Sequence, residues 1–468
     1  MLFNSLHFLI FLPIAIGLFY VLAPKHRWIL LFVASCYFYM AFVPSYILIL
    51  FFIIIVDYVA ALTIEQTKGR LKLFYLIVSL VANIGLLAYF KYINFINVNL
   101  TELFSFFGLH FYTINSNYAL PIGLSFHTFQ SLSYTIEVYR GKQKAERHLG
   151  YFANYVLFFP QMVAGPIERY ATLGAELKKE TKPIYQNFSN GFRLVLFGLF
   201  IKMAVADNIA PVVNQVYNNP ANFNALRILN TIFLFSFQIY ADFFGYSTIA
   251  LGCAKLMGIT IMDNFKTPYL SKSITEFWRR WHISLSAWFK DYLYISLGGN
   301  KVKIPRWCLN ILIVFTISGL WHGASWTFVI WGALHGIMIL LERLFSKLFN
   351  FTLKEGVSFI NVLLTIKTFI ISSVIWVFFR AENFEKVKLI FKALLKNNKA
   401  VASDISYMMP FIFTIIIILA DVLLYNKRFD TELGKLATPY RWAIYSLLVF
   451  GLLALSGMQK FTFIYFQF

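Results

Sequence analysis

Apolar runs follow one another along nearly the whole chain, and polar positions gather in short stretches between them. A helix needs about 20 mostly apolar residues to cross a bilayer. Twelve runs approach or reach that length: 5–23, 28–43, 45–64, 72–90, 118–138, 191–217, 227–257, 307–321, 326–348, 358–379, 406–425 and 442–458. The pattern predicts an all-α polytopic membrane protein with about 11–12 transmembrane helices. No long polar linker separates the runs, so residues 1–468 read as one membrane domain. The first run lacks a basic approach and a sharp cleavage site, and is expected to stay in place as a helix.

Lys and Arg set the orientation, because cytoplasmic loops carry them in excess. "PKHR" at 24–27, "KGRLK" at 68–72 and "RGKQKAERH" at 140–148 are basic, whereas "AFVPS" and residues 92–117 are nearly free of positive charge. This puts the N-terminus outside. Two segments resist simple crossing. "YFANYVLFFPQMVAGP" (151–166) is apolar, yet basic stretches flank it on both sides. It reads as a re-entrant segment that dips in and returns, and irregular backbone at that depth must be buried in protein or line a wet cavity. Residues 274–299 are aromatic, amphipathic and basic together, which again suggests an interfacial or re-entrant helix on the cytoplasmic side. "RAENFEKVKLIFKALLKNNK" (380–399) is basic although the count of spans places it outside. Either one span is miscounted or this is an amphipathic surface helix.

Composition agrees with the pattern. The chain is 59% hydrophobic and 13% charged, against about 45–50% and about 25% in soluble domains. Its net charge of +20 resides in short loops. That argues for membrane lipids and an anionic cytoplasmic substrate as partners rather than nucleic acid. Cys36, Cys253 and Cys308 are scattered in apolar context and form no metal or redox motif. No metal-ligand cluster, phosphate-binding glycine loop or nucleophile elbow is present.

Ionisable groups at membrane depth are costly and direct attention to function. They are Asp57, His127, Asp242, His282, His322 and His335. His322 lies in "SGLWHGASWTFVIWG" (318–332) between two apolar runs. It is either a general base in a cavity, walled by Trp321 and Trp326, or a core histidine bonded to a neighbouring helix. Imidazole suits a base because its pKa lies near working pH. Gly319 and Gly323 would allow close approach. His282, in "WRRWHISLSAWFKDYL", is either a second polar group near a thioester or part of an aromatic-basic belt at the headgroups. Arg279, Arg280 and Trp281 are candidates to hold an anionic donor. His335 lies thirteen residues beyond His322, about 20 Å along an unbroken helix, and reads as structural. His127 and Asp242 are candidates to line a cavity, although Asp242 also reads as a partner for a neighbouring helix.

"PIGLSFHTFQSLSYTIEVYRG", "FFPQMVAGPIERY", "FWRRWHISLSAWFKDYLYISLGGN" and "LWHGASWTFVIWGALHG" occur in an order and spacing that resembles the membrane-bound O-acyltransferases, and within them the alginate O-acetyltransferase class. The resemblance implies a ring of tilted helices around a central tunnel. It also implies His322 as the catalytic histidine and His282 as the second family histidine. The donor, acetyl-CoA or another acyl thioester, would bind from the cytoplasm as a substrate, with no bound cofactor. The acceptor would be a periplasmic polysaccharide, with a periplasmic transferase of the SGNH type as partner. The setting implied is the bacterial inner membrane with a periplasmic N-terminus. The aromatic tail at 459–468, ending "FTFIYFQF", resembles a terminal motif of acyl-exporting systems. Tyr465 is therefore either a covalent acyl relay or an aromatic anchor. Two alternatives stand beside acetyl export: a long-chain acyltransferase acting on lipid or protein, and a carrier without chemistry. The carrier would predict internal repeats, which the two halves do not show.

Overall fold

The computed structural model describes residues 1–113, 120–163, 165–349, 356, 358–395, 408–456 and 463–464. Among them, every regular element is helical. Each of the twelve apolar runs contains a helix within its described part. Among the described residues, eight helices are long and apolar enough to cross a membrane: Pro44–Gln66, Gly69–Phe106, Tyr185–Asn218, Ala225–Leu256, Ile304–His322, Trp326–Leu348, Phe359–Arg380 and Thr438–Leu455. The protein is a multi-pass membrane protein. Leu6–Val21, Arg27–Met40, Leu124–Tyr139 and Met408–Leu423 are shorter, at 14 to 16 residues. Pro24 and Pro44 each open a 3-10 turn after the first two. Proline suits the first turn of a new helix and cannot continue an old one.

The chain divides into two compact units, Met1–Gly191 with Cys253–Met262, and Phe192–Gly252 with Asp263–Phe468. In the first unit, the fully buried Asp57 carboxylate ties three helices together. It accepts hydrogen bonds from Ser79 Oγ at 2.5 Å, from Asn83 Nδ2 at 2.8 Å and from Ser131 Oγ. A buried carboxylate is tolerated when its oxygens are paired in this way. Gly69–Phe106 is one continuous helix of 38 residues, with a π segment at Ala88–Tyr92. It runs well past residue 90, where the sequence pattern ended that run. The segment at 151–166 gives a helix of only nine residues, Leu149–Leu157, followed by irregular backbone in which Phe158, Phe159, Met162 and Val163 are buried.

In the second unit, Tyr185–Asn218 and Ala225–Leu256 meet backbone to backbone. A Cβ on Gly198 would lie 2.7 Å from the Gly245 carbonyl oxygen, and one on Gly245 would lie 2.9 Å from that of Gly198. This contact brings Lys202, one turn beyond Gly198, against Asp242, at 2.6 Å. Residues 274–299 form two seven-residue helices, Ile274–Arg280 and Ile283–Phe289, and a π turn, Lys290–Tyr294. The basic stretch after residue 380 contains a twelve-residue helix, Phe384–Leu395, with Val387 and Ile390 buried. That is a surface amphipathic helix, too short to span.

Candidate active site

The site grows from a helical hairpin. His322 is the last residue of Ile304–His322. Gly323 follows in extended conformation, and Ser325 caps the next helix, Trp326–Leu348, by accepting from the Thr327 N–H. The two helices touch along glycines. A Cβ on Gly319 would lie 2.2 Å from the Phe328 carbonyl oxygen, and one on Gly332 would lie 2.1 Å from that of Phe315. No other residue type permits that approach. Because the helix breaks at the turn, His335 folds back towards His322 instead of lying a full helix length away.

Aromatic rings enclose the three histidines. The His322 ring lies 4.9 Å from Trp321, 5.1 Å from Trp331 and 5.4 Å from Phe379. His335 lies 5.0 Å from Trp331 and 5.1 Å from Trp278, and is nearly parallel to Phe277. His282 lies 4.7 Å from Phe243 and 6.5 Å from Trp321. Trp331 thus stands between His322 and His335, and Trp321 between His282 and His322. All three imidazoles are buried, with His322 only 4% exposed. His282 occupies the joint between the two seven-residue helices in left-handed backbone, with φ 43°. That conformation is uncommon without glycine, although histidine enters it more readily than most residues. It turns the chain sharply and puts the imidazole next to Trp321.

Beneath this cage lies a hollow of about 2600 Å³, lined by residues 272–290 and by Ile304–His322, Trp326–Leu348 and Phe359–Arg380. Its wall follows the Ile304 helix as far as Ser318, about 21 Å along the axis, and stops one turn short of His322. Trp278 faces the hollow and also packs on Trp331 and His335. Eight basic side chains line it (Lys266, Lys272, Arg279, Arg280, Lys290, Arg343, Lys347 and Lys367) against two acids, Glu276 and Glu342. The acids pair with Arg280 and Lys367.

The predicted site residues separate into groups. His322, His282 and Trp321 come together. Trp281 is buried, stacked on Phe277 and packed against Trp376, in the wall behind the cage. Arg279 is exposed towards the hollow. Arg280 is committed elsewhere: its guanidinium donates to Glu276, the Lys266 carbonyl, Asn426 and Tyr425. Trp326 is 56% exposed at the start of its helix. His127 belongs to the first unit, with Nδ1 2.9 Å from the Val156 carbonyl oxygen. Asp242 pairs with Lys202 and accepts from the Ile464 N–H at 2.7 Å. Tyr465 lies outside the described residues. Among the described residues no group of His, Cys, Asp and Glu could hold a metal ion.

Sequence reasoning missed Trp278, Trp331, Trp376, Phe379 and Phe243, and set His335 aside. One signal was available: Trp331 and His335 are four residues apart and so share a helix face. The others sit in segments whose apolar residues carry no distinguishing mark.

Residues 86–380 match the profile of the membrane-bound O-acyltransferase family. The chain belongs to that family. A probable alginate O-acetylase of Pseudomonas aeruginosa is 37% identical, over 84% of this chain and 75% of that protein. The peptidoglycan O-acetyltransferase of Helicobacter pylori is 35% identical, over 85% and 80%. The teichoic acid D-alanyltransferase of Bacillus subtilis is 30% identical over a shorter span, 48% of this acyltransferase and 60% of the relative. The matched region contains His282, His322 and His335 together with most of the hollow's wall.

Proposed function

We propose that this acyltransferase moves acetyl groups across the bacterial inner membrane for O-acetylation of an exported or cell-wall polysaccharide, alginate or peptidoglycan being the nearest models. The names of the full-length relatives support that class of acceptor. The donor is a cytoplasmic thioester, acetyl-CoA. The single observation that carries the reading is the basic hollow whose wall ascends to within one turn of His322. Eight basic residues against two acids suit a donor bearing several phosphates. By the distribution of Lys and Arg, its mouth lies on the cytoplasmic face and the N-terminus on the periplasmic face.

His322 acts as general base. It takes the proton of an acceptor hydroxyl as that oxygen attacks the thioester carbonyl. The C–S bond breaks, an ester forms, and the thiolate recovers the proton from the imidazolium. A base of this kind contributes about 10²–10⁴-fold in rate. His282 and Trp321 hold the imidazole in place. Transfer needs a tunnel joining the two faces, so the wall at Trp278 and Ser318 has to admit the acyl group. Tyr465 is the first acceptor in this scheme. Its phenol takes the acetyl group and passes it to the glycan, directly or through an SGNH-type periplasmic transferase. Tethering favours such a step by raising local concentration.

The test is transfer of labelled acetyl from acetyl-CoA by membranes containing His322→Ala. Loss of transfer with normal insertion is expected, and transfer near the wild-type rate overturns the reading. Tyr465→Phe separates the relay: thioester hydrolysis persists while acetyl transfer stops. Consumption of a long-chain thioester in place of acetyl-CoA would instead favour a lipid- or protein-directed acyltransferase.

A further inference from the structure

The second unit buries Lys202 and Asp242, with Asp207 beside them, in a charge cluster outside the histidine cage. Lys202, 1% exposed, sits between Asp207 at 2.7 Å and Asp242 at 2.6 Å. Two carboxylates share one ammonium. The Oδ1 of Asp242 faces Lys202, and its Oδ2 accepts the main-chain N–H of Ile464 at 2.7 Å. Without that donor a buried carboxylate oxygen would go unpaired, at a cost of about 1–3 kcal/mol or more for a charged group. The Ile464 N–H therefore completes the cluster.

Side chains secure the same segment. Phe463 and Ile464 are buried, at 0% and 2% exposure. The Phe463 ring lies 4.8 Å from Tyr246, whose ring also faces the Lys202 ammonium. It lies 5.5 Å from Phe243, and Phe243 in turn lies 4.7 Å from His282. The neighbour of Asp207 holds the preceding helix: Asn208 Nδ2 donates to the Leu455 carbonyl at 2.7 Å. Both ends of the connection from 455 to 464 are thus fastened to residues beside one π segment, Phe200–Ala206.

We propose that Asp242 is a positioning residue that seats the C-terminal segment through the Ile464 N–H and holds Phe463 one ring away from His282. What it recognises is main chain plus one aromatic side chain. The importance of the seat for transfer rests on the reading of His282 and His322 as the reaction site; the seat itself does not.

Two substitutions remove the hydrogen bond from opposite sides. Asp242→Ala removes the acceptor. Ile464→Pro removes the donor, since proline has no N–H, and leaves the helix bundle untouched should Asp242→Ala fold poorly. Asp242→Asn keeps one acceptor oxygen but turns its amide NH2 towards either Lys202 or the Ile464 N–H, so it is an intermediate substitution. Hydrogen exchange of the C-terminal peptide is measured on the full chain in lipid nanodiscs, alongside acetyl transfer. Asp242→Ala and Ile464→Pro are expected to accelerate exchange and to lower transfer, each by about tenfold or more, as loss of one charge-assisted hydrogen bond implies. Asp242→Asn, left with one of the two acceptors, falls between Asp242→Ala and wild type in both. Unchanged exchange in Ile464→Pro overturns the seat. Faster exchange with undiminished transfer overturns the positioning role. Transfer surviving in His322→Ala would refute the catalytic reading alone, because the exchange measurement is independent of it.

Discussion

Asp57 in the first unit and His322 in the second are both polar and both buried, yet the side chains packed on them differ. Asp57 is met by two hydroxyls and an amide from neighbouring helices. His322 is met by the faces and edges of Trp321, Trp331 and Phe379. A carboxylate satisfied by neutral donors is a fastening, since its lone pairs are spent on holding helices together. An imidazole packed among rings and set one turn above a basic hollow is where the proposed reaction would take place. Burial alone does not set the two surroundings apart; the chemistry of the neighbours does.

The largest effect should fall on His322. Its replacement by Ala is expected to reduce acetyl transfer by about 10²–10⁴-fold, with little change in thermal unfolding followed in detergent. Asp57→Ala should behave in the opposite way. It strands three buried donors and should destabilise the protein by about 3 kcal/mol or more. Transfer per folded molecule should hold steady. If Asp57→Ala abolished transfer while the fold stayed intact, the contrast between fastening and reactive group would fail.

Smaller changes sharpen the contrast. Gly332→Ala places a methyl group against the Phe315 carbonyl and should cost about 1–3 kcal/mol, lowering transfer and melting temperature together. Arg279→Glu reverses a charge at the hollow without touching the cage. It should raise the apparent KM for acetyl-CoA by about threefold to tenfold, with kcat nearly unchanged and the effect fading at high salt. The smallest effect concerns pH. Burial alone would raise the Glu146 carboxyl, but hydrogen bonds from Lys178 and Tyr170 outweigh it and hold the group below its ordinary value of 4.5. The ionised form is thus favoured in the folded protein. The resulting stability is present above that value and is lost as pH falls through the lowered one. Lys178 is partly exposed, so Glu146→Gln should remove about 1 kcal/mol or less, seen as a shallower loss of melting temperature on acidification.

The helical runs were legible because a membrane span announces itself in length and apolarity. His322 stood out as a candidate because an imidazole between two such runs is expensive. The cage was not. Trp331, Trp376 and Phe379 are apolar residues in apolar helices, and only the crossing of those helices makes them neighbours of His322. Arg279 and Arg280 are adjacent, chemically alike and both line the hollow, yet Asn426 and Tyr425, far along the chain, tie down Arg280 while Arg279 stays exposed. His335 could come near His322 only if the helix broke between them, and Gly323 breaks it.

The helix from Gly69 to Phe106 has 38 residues and measures about 57 Å. A membrane with its headgroups is only about 40–45 Å thick. Upright, such a rod overshoots by two turns or more, so it must lean steeply or stand proud of the lipid like a mast. Phe106 and Phe107, exposed at its tip, would then offer a greasy handhold beyond the headgroups.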